Sequence, residues 1–131
     1  MHKSIAILVV LLGILTKSLA YEECFVYTGD VGCYDSSKTF NGSVTLYEED
    51  CSDCYLDPND ELATITFSSG DEAFRIEGCG SDVGFWNSPE PLIVIAAGCH
   101  GNQHKKYTIR PTSPKQDLGW TLFSDQQTQA I

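Results

Sequence analysis

From Phe40 onward the apolar residues recur at every second position, a period that fits strands and excludes a helical core. Phe40, Val44 and Leu46 share one face with Gly42, while Asn41, Ser43, Thr45 and Tyr47 share the other. Ala63, Ile65 and Phe67 alternate with Thr64 and Thr66, and Phe74 and Ile76 alternate with Arg75 and Glu77. A faint helical spacing through Val44, Tyr47, Cys51 and Tyr55 competes with the first of these strands. Turn chemistry punctuates the chain, so about seven or eight short strands are predicted. The fold class that follows is all-β: a small, disulfide-stapled antiparallel β-sandwich or Greek-key barrel.

Taken in order, Cys24-Phe25-Val26-Tyr27 reads as a strand stopped by Thr28-Gly29-Asp30, with Gly32-Cys33-Tyr34 pairing back on it. The segments around Ile65 and Phe74, separated by Ser68-Ser69-Gly70-Asp71, read as a hairpin. Gly78 to Asp82 reads as a turn, and Val83-Gly84-Phe85-Trp86 as a short aromatic strand. Leu92 to Ala97 is continuously apolar, which predicts a central strand buried on both faces. Lys105 to Arg110 is a strand ended by Pro111, and Thr112 to Asp117 is a loop. Gly119 to Phe123 is the last strand, and residues 124–131 are a polar, frayed tail.

Val44-Thr45-Leu46-Tyr47-Glu48 and, further on, Phe74-Arg75-Ile76-Glu77-Gly78 are together similar to the opening and fourth strands of a βγ-crystallin Greek key. The aromatic-x-Gly of that family falls here on Ser52 and Cys54. The resemblance therefore implies a Greek-key core and no calcium motif.

The start of the chain predicts its destination. Met1-His2-Lys3-Ser4 is a basic opening, Ile5 to Leu15 is apolar, and Ser18-Leu19-Ala20 supplies small residues for cleavage before Tyr21. As a helix this apolar run rises about 16 Å, short of the ~30 Å of a hydrocarbon layer. Residues 1–20 are read as a signal peptide and 21–131 as one secreted, extracellular domain. The whole chain carries a net charge of −10, and loss of Lys3 and Lys17 with the signal makes it more acidic still. Such a charge repels phosphate backbones and anionic headgroups, so neither nucleic acid nor a membrane is the expected partner.

All six cysteines, Cys24, Cys33, Cys51, Cys54, Cys79 and Cys99, follow the signal, which in an oxidising compartment predicts disulfides. A bridge between Cys51 and Cys54 closes too small a ring to constrain much unfolded chain. The sequence therefore predicts that each reaches a different partner, fastening an acidic surface loop at two points. Asp50 and Asp53 oppose thiolate formation, which argues against redox chemistry there. Cys79 and Cys99 do not form the second close knuckle that zinc would need.

Candidate sites are few, and no cofactor motif is present. An EF-hand counted from Asp57 fails at its sixth and twelfth positions, Leu62 and Ser68. A looser calcium site drawn from Asp57, Asn59, Asp60 and Glu61 competes with a solvated acidic loop. His100, His104 and Arg75 with a glutamate supply the minimum for a small hydrolase such as a ribonuclease. The leading expectation is instead a binding protein, of the effector, inhibitor or toxin kind, acting on an extracellular protein or carbohydrate. Tyr47, Tyr55, Phe85 and Trp86 are its candidate surface, although Phe85, Trp86 and Trp120 read first as core. Asn41-Gly42-Ser43 is an N-glycosylation sequon on the polar face of its strand.

Overall fold

A chain that alternates apolar and polar residues must bury one face of every sheet, and here two sheets bury their faces against each other. The computed structural model describes residues 20–35, 39–49, 59–83, 88–99, 105–123 and 129–130. Its strands are β1 (Ala20–Cys33), β2 (Phe40–Glu48), β3 (Asp60–Ser68), β4 (Ala73–Val83), β5 (Pro91–Cys99), β6 (Lys105–Ile109), β7 (Lys115–Phe123) and β8 (Gln129–Ala130). Sheet A has the order β4-β1-β7-β8 and sheet B the order β3-β2-β5-β6. The fold is a β-sandwich, as the alternation predicts.

Sheet A contributes Phe25, Tyr27, Val31, Phe74, Ile76 and Phe123 to the core. Val44, Leu46, Phe67, Ile93 and Ile95 meet them from sheet B. Each such side chain contributes roughly 1.5–3 kcal/mol by leaving water. The disulfide from Cys33 at the end of β1 to Cys99 at the end of β5 ties the two sheets together, and both residues are buried.

Strand β1 runs straight through Thr28-Gly29-Asp30, where the sequence predicts a turn. Gly29 is needed there because the Phe74 ring lies 2.8 Å from where a Cβ would stand, a close approach rather than a reversal. Gly32-Cys33-Tyr34 consequently does not fold back. Residues of β1 instead pair antiparallel with β4 and, on the other side, parallel with β7.

The predicted turn at Gly78 to Asp82 is likewise strand, inside β4. Leu62 Cβ and Glu48 Oε2 occupy the positions, at 2.9 and 2.6 Å, that side chains at Gly78 and Gly80 would need.

The segments predicted as a hairpin, β3 and β4, belong to different sheets. The turn at Ser69-Gly70, with Gly70 at φ 100° and Asp71 N–H donating to Ser68 O, is a corner of the sandwich. Alternation specifies which face is buried and not which neighbour is paired, so both segments satisfy it across the core.

Strand β5 is interior to sheet B, between β2 and β6, but Val94 and Ala96 on its outer side are only half-buried. It is thus fully covered on one face, not on two. Strand β7 begins at Lys115, within the predicted loop, and β8 pairs Gln129 and Ala130 with Leu122 and Thr121, within the predicted tail.

The two strands that resemble a Greek key, β2 and β4, pair in different sheets. Residues 1–19, 36–38, 50–58, 84–87, 100–104, 124–128 and 131 lie outside the described residues.

Candidate functional site: the outer face of sheet A

Two large hydrophobic residues stand exposed among the described residues, Trp120 at 51% and Tyr34 at 74%. The position of Trp120 follows from one extra residue. Thr28 pairs with Asp117 and Asp30 with Trp120, so Leu118 and Gly119 together face the single residue Gly29. This is a β-bulge, and it resets the alternation of β7. Asp117 faces outward, and without the bulge the residue three positions later would face inward. With it, Trp120 also faces out, while Thr121 and Phe123 are buried.

The bulge is locally built. Gly119 has φ 70°, a conformation that costs a side-chain-bearing residue energy, and its N–H donates to Asp117 Oδ1 at 3.0 Å. Gly119 O packs toward Gly29 on β1. Leu118, the other residue of the bulge, packs half-buried against the core.

The indole then lies across Gly32, where its Cζ3 is 3.7 Å from the place a Cβ would occupy, with Leu122 Cδ2 at 3.9 Å. A glycine on the adjoining strand thus gives the ring a flat bed. Asp30 is the register neighbour of Trp120, about 4.8 Å away across the strand pair.

The sequence reads Trp120 as core because large aromatic side chains are more often buried than exposed. The structure reverses this. A glycine inside a strand pattern is the signal that could have marked the bulge, Gly119 standing between Leu118 and Trp120.

The residues singled out by sequence are distributed elsewhere. Arg75 projects from the outer face of β4, where Nη2 pairs with Glu77 Oε2 at 3.0 Å and both side chains are exposed. Tyr47 is half-buried on the outer side of β2. Asp60 and Glu61 are successive strand residues, so their side chains leave opposite faces, and Glu61 Oε1 accepts from Thr64 Oγ1 at 2.7 Å. Asn59 is exposed just before them. His100, His104, Asp57, Tyr55, Phe85 and Trp86 lie outside the described residues.

The acidic run is less solvated than its composition suggests. Glu48 is buried at the end of β2, and Glu49 receives two hydrogen bonds from Arg110, at 2.8 and 3.0 Å. Those bonds, with the charges of Glu49 and Glu90, raise the Arg110 pKa above its ordinary value.

Cys24 and Cys79, directly opposite in β1 and β4, form the second disulfide. The two bridges consume all four cysteines that Cys51 and Cys54 were predicted to reach, so the twice-fastened loop is not formed by those partners. Cys51 and Cys54 themselves lie outside the described residues, and no described cysteine is free.

Among the described residues, Glu22, Cys24 and Cys79 bring potential metal-ligand atoms within 4.8 Å of one another. The two sulfurs are bonded to each other and are not thiolates, so this group does not suit a metal. No helix among the described residues is long and apolar enough to cross a membrane.

Compared with protein-family models and with curated proteins, the sequence matches none.

Proposed function

We propose that this protein is a secreted, acidic, disulfide-stabilised binding protein that engages an extracellular partner through the outer face of sheet A. The observation that carries the reading is Trp120, half exposed and aimed outward by a bulge that the local sequence builds. An indole on a surface is costly to leave in water and repays that cost when a partner covers it. The signal-like residues 1–20 and two disulfides support an extracellular setting. The hydrolase alternative draws no support from Arg75, which is ion-paired on an open strand face.

Asn41 is exposed on the outer side of sheet B, beside Gly98 of β5 and Ser68 of β3. We include in the proposal an N-glycan at this residue. It would cover the outer side of sheet B and leave sheet A open. Secretion from a eukaryotic host should give a glycosidase-sensitive product that Asn41→Gln abolishes; a product insensitive to glycosidase counts against the glycan.

The experiment for the surface compares the oxidised, mature wild-type protein with Trp120→Ala as bait in its own extracellular fluid. Capture of the same partner by both baits, in equal amount, would remove Trp120 from the binding surface. Matched thermal unfolding of the two baits establishes that the fold is unchanged.

A further inference from the structure

Resting on that surface reading, we propose that the Trp120 platform takes a lysine or arginine side chain presented by a protein partner. The face of an indole is the negative pole of its quadrupole and attracts a cation. Two carboxylates flank it on the same side of the sheet. Asp30 is its register neighbour on β1, and Asp117 stands on β7 at the start of the bulge.

Carboxylates only accept hydrogen bonds, whereas ammonium and guanidinium groups only donate them. One Asp117 oxygen is engaged by Gly119 N–H, which orients the carboxylate and leaves its second oxygen for a ligand. A cation over the ring would therefore meet acceptors at its rim.

The cations already on this face offset that charge only in part. Arg75, in register with Thr28, is paired with Glu77. Lys115 is in register with Val26, four residues along β1 and about 13 Å from Asp30. It stands two residues from Asp117 on the same face of β7, about 7 Å of strand, so Asp30 is the less compensated of the two carboxylates. Beyond the face, Glu72 is exposed where its carbonyl accepts from Val31 N–H, adding a further acid near this end of the sheet. The net charge of −10 adds long-range attraction for a basic partner.

A neutral glycan is the competing occupant of an aromatic platform. Its hydroxyls donate to carboxylates as well, but a neutral sugar leaves the charges of Asp30 and Asp117 unneutralised, whereas a cation pairs with them.

The test uses the intact, oxidised, 15N-labelled protein. Its Trp120 indole N–H resonance is identified by its loss in Trp120→Phe. Hexa-arginine peptide and cellohexaose are titrated separately. Hexa-arginine should move this resonance, Trp120→Ala should weaken binding about tenfold, and Asp30→Asn about threefold. The affinity should also fall as salt is raised to about 0.3 M.

If hexa-arginine binds equally well to Trp120→Ala and Asp30→Asn, attraction is diffuse and the proposal fails. If cellohexaose alone moves the resonance, the cationic partner is wrong while the surface reading stands. If neither probe moves it, the proposal fails, and the capture comparison separately decides the surface reading. Unchanged core amide resonances in each variant exclude misfolding as the cause.

Discussion

Cys33 and Cys99 are bonded across the core, whereas Cys24 and Cys79 are bonded within one sheet and face solvent. The sequence separations, 66 and 55, give loop-closure terms that differ by only about 0.2 kcal/mol. Any larger difference must come from the folded state. Mild reductant applied to the native protein, followed by alkylation and mass mapping, should label Cys24 and Cys79 before Cys33 and Cys99. Replacing Cys33 and Cys99 by Ala should cost about 1 kcal/mol more than the same change at Cys24 and Cys79, through lost packing. Equal reduction rates would contradict the assigned burial.

Peptide mapping without reduction should recover Cys24 joined to Cys79 and Cys33 joined to Cys99. With those four consumed, Cys51 and Cys54 have no other partner within the chain. They should appear in one peptide unlinked to the rest. A peptide joining either to Cys24, Cys33, Cys79 or Cys99 would overturn this connectivity.

Gly42 should resist substitution more strongly than its exposed neighbours. A Cβ there would meet the Phe67 ring at 2.7 Å and the backbone of Ala97 at 2.9 Å. Gly42→Ala is expected to cost about 1–3 kcal/mol in denaturant unfolding, since backbone in a paired strand cannot yield as a side chain does. Gly29→Ala should cost less, because its nearest obstacle is the Phe74 side chain and the nearest backbone atom, Gly119 O, is 3.2 Å away, farther than the Ala97 backbone is from Gly42. Gly32→Val should displace the indole of Trp120 and change its fluorescence with little loss of stability.

Tyr27 should make the protein sensitive to alkali. Burial first, and the charge of Glu23 second, push its pKa from 10.0 up to about 12. Its hydroxyl donates to Ser113 O at 3.0 Å. Because the folded state holds the proton more tightly, this stabilisation is whole below pH 10 and is lost as the pH climbs towards 12. The two pKa units correspond to about 3 kcal/mol. Stability of the wild type should fall across that window more steeply than that of Tyr27→Phe, and parallel curves would refute the assignment.

The legibility of the fold was uneven for identifiable reasons. The buried set on β2, Phe40, Val44 and Leu46, follows directly from alternation. Alternation was equally plain at Ile65 and Phe74, yet the predicted hairpin placed both strands in one sheet. Glycines misled in β1 and β4, where Gly29, Gly78 and Gly80 make room for Phe74, Leu62 and Glu48. A missing side chain looks the same in sequence whether the chain turns or a neighbour intrudes.

The sequence by itself determined the all-β class, the buried faces of β2, β3 and β4 and the acidic charge, because these depend on side-chain chemistry and a period of two. The outward exposure of Asn41 belongs to the same group. Only the tertiary structure decided which strands pair, which cysteines join and where Trp120 points. Those outcomes depend on contacts between distant segments: β1 beside β7, Cys33 beside Cys99, and two residues of β7 opposite Gly29. That single extra residue turns a tryptophan that reads as core into the exposed centre of the proposed binding face.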